Sequence, residues 1–345
     1  MVRPLAELLE APPLLQVQGL VKHFPVRRGV FGRSAVVHAV EEVDLVVNRG
    51  EVVSLVGESG SGKTTVGRCI TGMTVPTAGT IRFEGQDIAG NSRAAKDAFR
   101  RRVQPVFQDP RSSLDPRWSI ERTIGEPLVA YGIGNPEQRS ARVRELMDMV
   151  GLPTYLAQRR PQELSGGQQQ RVAIAAALAL EPDLIVADEP VSALDVSVQA
   201  QILNLLSELR SRLNLALLFI AHDLSVVEHL SDRVAVMYLG RIAETGPVQD
   251  VYHRPQHPYT KALIEAIPRP DPTLVMSANR LTGEIPSPVH PPSGCTFHPR
   301  CPVAINRCST DDPEHTLFGP RHTAACHVAA MHAAQTHTLQ AKDPR

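Results

Sequence analysis

Lys63 and Thr64 close a glycine-rich run, Gly57-Glu58-Ser59-Gly60-Ser61-Gly62-Lys63-Thr64-Thr65. Its spacing, G-x-x-x-x-G-K-[ST], is that of a phosphate cradle. Glycines let successive backbone N–H groups turn onto phosphate oxygens, and a helix opening at the lysine points its positive end at the same anion. Lys63 can reach the β and γ phosphates, and the Thr64 hydroxyl can ligate Mg²⁺. The chemistry is binding of a nucleoside triphosphate; the loop does not say how its energy is used.

Four later positions could act on that phosphate. Leu184-Ile185-Val186-Ala187 runs into Asp188 and Glu189. An acid at the carboxyl end of an apolar strand can hold Mg²⁺, and a second acid beside it can face an attacking water. Gln108 ends the run Val103 to Phe107 and can bind Mg²⁺ or the water through its amide oxygen. His222 ends the run Leu215 to Ala221. Ser165-Gly166-Gly167-Gln168 opens a further helix and presents a second set of exposed N–H groups. Two anion-binding elements with a single lysine cradle imply two half-sites, each completed by a partner.

A separate group of residues has the spacing of metal ligands. Cys295, Cys301, Cys308 and Cys326 give C-x5-C-x6-C-x17-C within 32 residues. Four thiols so placed are a candidate site, with Zn²⁺ the first choice from spacing and packed core thiols the alternative. His298, His322 and His327 are alternative ligands nearby. Cys69, in the helix after the phosphate loop, reads as a packed thiol.

These residues need strands and helices to position them. The runs Leu14 to Lys22, Val43 to Val47, Glu51 to Val56, Ile81 to Phe83, Val103 to Phe107, Leu184 to Ala187, Leu215 to Ala221, Val234 to Met237 and Arg241 to Glu244 read as strands. The continuous apolar ones are those of strands buried on both faces. Residues 25–37 read as a basic loop, 111–163 as an inserted helical lobe, and Val196 to Leu213 as a helix. Residues 1–13 form a leader. Thirteen of the 29 prolines fall between 255 and 320, so this extension is expected to be irregular and held by a staple or a partner. Residues 331–345 read as a disordered tail.

At 345 residues the chain can hold one large α/β domain and an appendage. Its 36 basic and 36 acidic residues cancel, which argues against a protein that coats nucleic acid. The longest apolar run, Val172 to Leu180, is nine residues, far short of the roughly 20 needed to span a bilayer. Glu7, Glu10 and Pro12-Pro13 stand where a signal peptide needs its apolar core. A soluble, cytosolic chain follows.

Gly57 to Thr64, Gln108, Leu164 to Gln168, Leu184 to Glu189, Ser192-Ala193-Leu194-Asp195 and His222, in this order, resemble the ATP-binding subunit of an ABC transporter over residues 14–255. Val106 to Pro110, His257 to Leu263, Gly283 to Pro288 and Pro292 to Cys295 are similar to the peptide/nickel importer group. The resemblance implies an α/β P-loop ATPase core with an antiparallel β subdomain and a helical subdomain, and an extension over 256–330. It implies a head-to-tail dimer with a homologous ATPase chain, ATP lying between the phosphate loop of one subunit and Ser165 to Gln168 of the other. Asp195 would couple the sites, and Phe24 would stack on adenine. It implies two membrane permeases and an extracytoplasmic solute-binding protein as partners, at the cytoplasmic face of the inner membrane. Relatives in that group carry a [4Fe–4S] cluster on matching cysteines, which sets this cluster before Zn²⁺. Di- and oligopeptides are the implied cargo, with nickel or glutathione import, and action on nucleic acid or ribosomes, as alternatives. Gln169 and Ala176 stand where the family often has arginine, which would alter contacts with the partner subunit.

Overall fold

The computed structural model describes residues 12–27, 34–88, 92–267 and 283–340. Most of the leader, residues 28–33 of the basic loop, and the end of the tail lie outside the described residues.

Two sheets share one core region. In the smaller, β1 (Leu15–Arg27), β2 (Ser34–Val47), β4 (Ala78–Phe83) and β5 (Gln86–Asp87) run antiparallel in the order β2-β1-β4-β5. Both ends of the segment read as a loop over 25–37 are therefore strand. Pro25 pairs with Val36 and Val26 with Ala35, so β-forming valines extend the ladder.

The larger sheet has eight strands. Its parallel centre comprises β3 (Val52–Val56), β6 (Val103–Val106), β7 (Leu184–Asp188), β8 (Ala216–Ala221) and β9 (Arg233–Tyr238). β11 (His315–Gly319), β12 (His322–Ala325) and β10 (Arg241–Pro247) form one side of it, in the overall order β11-β12-β10-β9-β3-β8-β7-β6. Side chains alternate between its two faces. Val53, Leu55, Leu218 and Ile220 pack toward the small sheet with Val66 and Ile70 of α1 (Lys63–Ile70). Val52, Val56, Leu217 and Phe219 pack into the helical core on the other side.

The helical lobe holds α3 (Pro110–Ser113), α4 (Ile120–Ala130) and α5 (Pro136–Met149), packed against α6 (Gly166–Leu178). Helix α2 (Arg93–Arg102) has no sequence signal beyond its Ser92 cap, because Phe99 is its only buried residue. Then come α7 (Val196–Leu213), α8 (Leu224–Leu230), β10 (Arg241–Pro247), α9 (Val248–His253) and α10 (Pro258–Glu265).

The extension is less irregular than its prolines suggest. The hairpin of β11 (His315–Gly319) and β12 (His322–Ala325) pairs onto β10 through Glu244–Ala324 and Thr245–Thr323. Residues 331–340 of the tail read as disordered are helical, continuing α11 (His327–Gln340), and 341–345 lie outside the described residues. No helix of the described residues is long and apolar enough to cross a membrane.

His257 ties the extension to the core and makes stability depend on pH. It is buried, and its Nδ1 accepts from the Tyr259 N–H to cap α10. Burial depresses its pKa to about 4, so the unfolded chain takes up the proton first as pH falls. The folded state therefore loses up to about 3 kcal/mol between pH 6.5 and 4, and protonation also removes the cap acceptor. His257→Asn keeps a capping acceptor without the titration. Its thermal unfolding should show a flatter pH dependence than the parent over that range.

Candidate functional site

The site lies at the carboxyl ends of adjacent strands β3, β8, β7 and β6. The phosphate loop follows β3 and takes its shape from two glycines. A Cβ at Gly57 would sit 2.1 Å from the Met237 carbonyl oxygen, and one at Gly62 would sit 2.2 Å from the Ala39 oxygen. Gly62, at φ 106°, caps α1 in the left-handed region. Lys63 is buried, and its Nζ donates to the Gly57 and Glu58 carbonyls at 2.8 and 2.9 Å. Burial lowers its pKa, against the raising effect of Glu189, Asp188 and Glu58. Ser59 and Gly60 at the tip of the loop are exposed and Ser61 is buried beneath them, while Thr65 is half-buried on α1.

The strand order brings the other sequence-predicted residues to this loop. Thr64 Oγ1 donates to Asp188 Oδ1 at 3.0 Å. Burial, then the Glu189 charge, raises the Asp188 pKa, with Thr64, Arg68 and Lys63 opposing. Glu189 turns out of β7 at φ 46°, a left-handed conformation costly for a non-glycine residue, and its N–H bonds the Ile220 carbonyl at 2.9 Å. Its Oε2 accepts from Gln108 Nε2 at 2.9 Å and meets His222 Nδ1 at 3.3 Å. Gln108 thus spends its amide nitrogen on Glu189. Thr64 with Asp188 forms one group, and Gln108, Glu189 and His222 another, both about the Lys63 ammonium.

The second anion-binding element points elsewhere. Ser165 is exposed and caps α6 in a reciprocal pair: the Gln168 N–H donates to Ser165 Oγ at 3.3 Å, and the Ser165 N–H to Gln168 Oε1 at 2.9 Å. A Cβ at Gly167 would lie 2.5 Å from Val198 of α7, and one at Gly166 3.2 Å from Leu194. Asp195 caps α7, accepting from the Val198 N–H at 3.0 Å and the Ser197 hydroxyl at 2.8 Å. None of these residues bonds the phosphate loop of the same chain. Gln169 is buried, with its amide on the Pro161 and Leu164 carbonyls, so it braces its own chain. Phe24 is exposed on β1, with Lys22 Nζ 4.9 Å from its ring centre.

Comparison with known proteins agrees with this geometry. Residues 40–192 match the ABC transporter family, and residues 243–308 match the family described as the oligopeptide/dipeptide transporter, C-terminal region. A candidate peptide import ATP-binding protein of Brucella ovis is 52% identical over 314 residues, 91% of this chain and 97% of its own. The dipeptide transport ATP-binding protein DppF of Haemophilus influenzae is 46% identical over 90% of this chain and 96% of its own. The chain belongs to the ABC transporter family of ATP-binding proteins. The dimeric post-hydrolysis structure of the ATP-binding cassette MJ0796, bound to ADP and Pi, superposes with a TM-score of 0.60 at 30% identity, over 68% of this chain and 98% of that one.

In this ABC protein the cassette and the extension meet at the phosphate loop. Glu58 does not present its side chain to the loop's interior. Its carboxylate accepts two bonds from Arg300, at 2.7 and 3.0 Å, and its N–H donates to Tyr259 Oη at 2.9 Å. The Arg300 side chain is 4% exposed and also reaches Tyr238 Oη at 3.3 Å. Tyr238, Tyr259 and Phe297 form one buried aromatic cluster beneath it. Arg300 and Tyr238 carried no motif. The Pro258-Tyr259 helix start in His257 to Leu263 was a clue to Tyr259, and nothing local marks a partner 242 residues away.

Cys295, Cys301, Cys308 and Cys326 lie together next to Arg300. Each of Cys295, Cys301 and Cys326 has its pKa raised first by burial, with the neighbouring thiols adding to it; Cys295 reaches about 11. Backbone N–H groups of Phe297, Val303, Val328 and Ala329 point at the sulfurs. No three of the four sulfurs all lie within 4.8 Å of one another. The alternative histidine ligands are committed elsewhere: His298 to the Cys295 carbonyl, His322 to the buried Glu244, and His327 to the Asp311 carbonyl. Cys69 is buried as expected, its pKa pushed up to about 11 by burial.

Proposed function

We propose that this chain is the ATP-hydrolysing subunit of an importer of di- and oligopeptides. The observation that carries this reading is the pairing of the ABC cassette geometry with the match of residues 243–308 to the oligopeptide/dipeptide transporter C-terminal region. Lys63 and the loop amides hold the phosphates, and Thr64, Asp188 and Gln108 organise Mg²⁺. Glu189 polarises the water, held by Gln108 and by His222, which also holds the γ-phosphate. Ser165, Gly166, Gly167 and Gln168 act on the nucleotide of a second ATPase subunit. The exposure of Ser165, and the lack of contact between any of the four and the loop of their own chain, support action in trans. Asp195 couples the two sites, and Phe24, exposed on β1 beside Lys22, stacks on adenine. Phosphoryl transfer needs mostly positioning and charge stabilisation, so closure of the dimer is the catalytic switch.

The remaining partners are two membrane permeases, contacted by the helical lobe at the cytoplasmic face, and an extracytoplasmic solute-binding protein. Purification of the tagged chain from its native membranes should recover both. Its ATPase should rise with the permeases. Stimulation by DNA or ribosomes, with none by permease, would overturn the assignment.

Cys295, Cys301, Cys308 and Cys326 would hold a [4Fe–4S] cluster. N–H groups aimed at the sulfurs suit thiolate ligands of iron or of zinc alike. When bound, the cluster supplies a rigid staple and an electron-accepting centre. Anaerobically purified protein should contain about four iron and four sulfide per chain. One equivalent of zinc in colourless protein would rule the cluster out.

A further inference from the structure

His23, His38 and Glu41 lie outside every motif discussed above, yet their donor atoms converge. His23 Nε2 and His38 Nδ1 each lie 2.6 Å from the same oxygen, Glu41 Oε1, and the rings stand 4.5 Å apart. All three ligand atoms fall within 4.8 Å of one another. Among the described residues this is the only group of three or more His, Cys, Asp or Glu side chains so arranged.

The strand geometry is bent to achieve this. His23 of β1 pairs directly with His38 of β2, so their side chains share a face. Glu41 is three residues beyond His38, and on a regular strand it would point to the opposite face. Irregularities in the ladder occur where Leu20 opposes Val43, Lys22 opposes Val40 and His23 opposes His38. Extra residues in β2 re-aim Glu41 onto the histidine face. Glu42, at φ 51°, absorbs the turn, a strain that persists only where surrounding structure imposes it.

We infer that His23, His38 and Glu41 form a binding site for a divalent transition-metal ion of the zinc class. Two imidazoles and one carboxylate are a donor set for Zn²⁺, Co²⁺ or Ni²⁺; Mg²⁺ and Ca²⁺ prefer all-oxygen sites. Ligands about 2.0–2.1 Å from one tetrahedral ion stand roughly 3.3 Å apart, within small side-chain movements of the observed spread. The side chains are 29%, 32% and 19% exposed, so water can fill the fourth position. Glu41 also lines a cleft of about 680 Å³ between β2 and the extension, which gives an ion a route in. The ion-pair partners of Glu41 among the described residues are the two imidazoles, so no lysine or arginine occupies the ion's place. The site would clip β1 to β2 next to Phe24. It would also stiffen the strand whose Ala39 carbonyl backs Gly62 and whose His38 N–H bonds the Pro288 carbonyl.

Zinc titrated calorimetrically into the full-length chain, without nucleotide, tests this against His38→Ala and Glu41→Gln. Both side chains are partly exposed, and unchanged thermal unfolding would establish that the variants fold. The parent should bind one more equivalent than either variant, or bind it at least tenfold more tightly. Zinc held by the cysteines or by Asp188 is common to all three proteins and cancels. Cobalt supplies the second readout: the extra equivalent should show ligand-field bands without sulfur-to-cobalt charge transfer. Equal stoichiometry and affinity in the parent and both variants, or an extra equivalent bearing the thiolate band, would overturn the site.

Discussion

Glu189→Gln is expected to bind ATP as the parent chain does and to hydrolyse it at least about a hundredfold more slowly, because a positioned general base contributes about 10²–10⁴ in rate. The substitution keeps the size of the side chain and its bond from Gln108, so the shape of the loop is kept. It removes the charge that polarises water, and one of the acids that holds up the Lys63 pKa. Nucleotide affinity and single-turnover hydrolysis, measured on the same preparation, separate the two effects. Hydrolysis within a few-fold of the parent would deny Glu189 its role.

Arg300→Met should both destabilise the chain and weaken nucleotide binding. Arg300 is almost fully buried, while Glu58 keeps some contact with water. Removing the arginine leaves the Glu58 carboxylate without its fork of two bonds, at a cost of about 3 kcal/mol, the low end for breaking a buried pair. The loss is expected to reach ATP because the same Glu58 gives a carbonyl to Lys63 and its N–H to Tyr259. Chemical denaturation gives the stability, and nucleotide titration the affinity. A double variant, Arg300→Met with Glu58→Gln, removes the stranded charge and should recover a large part of the stability. Unchanged ATP affinity in the folded single variant would show that the extension does not support the loop.

What was legible in the sequence was local. The phosphate loop, the Asp188-Glu189 pair and the Ser165 to Gln168 cap each lie within one turn and its flanks, where spacing alone fixes which groups can meet. The parallel strands were legible because burial on both faces leaves continuous apolar runs. Helix α2 was not, since it buries Phe99 alone. The β11–β12 hairpin was not, since its attachment to β10 depends on pairing across some 80 residues of sequence. Glu58 was read as a loop residue for phosphate, and Arg300 was unmarked, because an ion pair across 242 residues has no sequence period. His23, His38 and Glu41 are joined by irregular strand pairing, which no alternation rule foresees.

The central claim is that Gly57 to Thr64 is half of a site, closed by Ser165 to Gln168 of another subunit. Sedimentation of the Glu189→Gln protein with and without Mg²⁺-ATP tests it most directly, because blocked hydrolysis should trap the closed pair. The mass is expected to double with Mg²⁺-ATP, alone or with the sister ATPase chain of the same transporter, and to stay monomeric with ADP. A protein that binds one Mg²⁺-ATP per chain and still sediments as a monomer in both cases would contradict it.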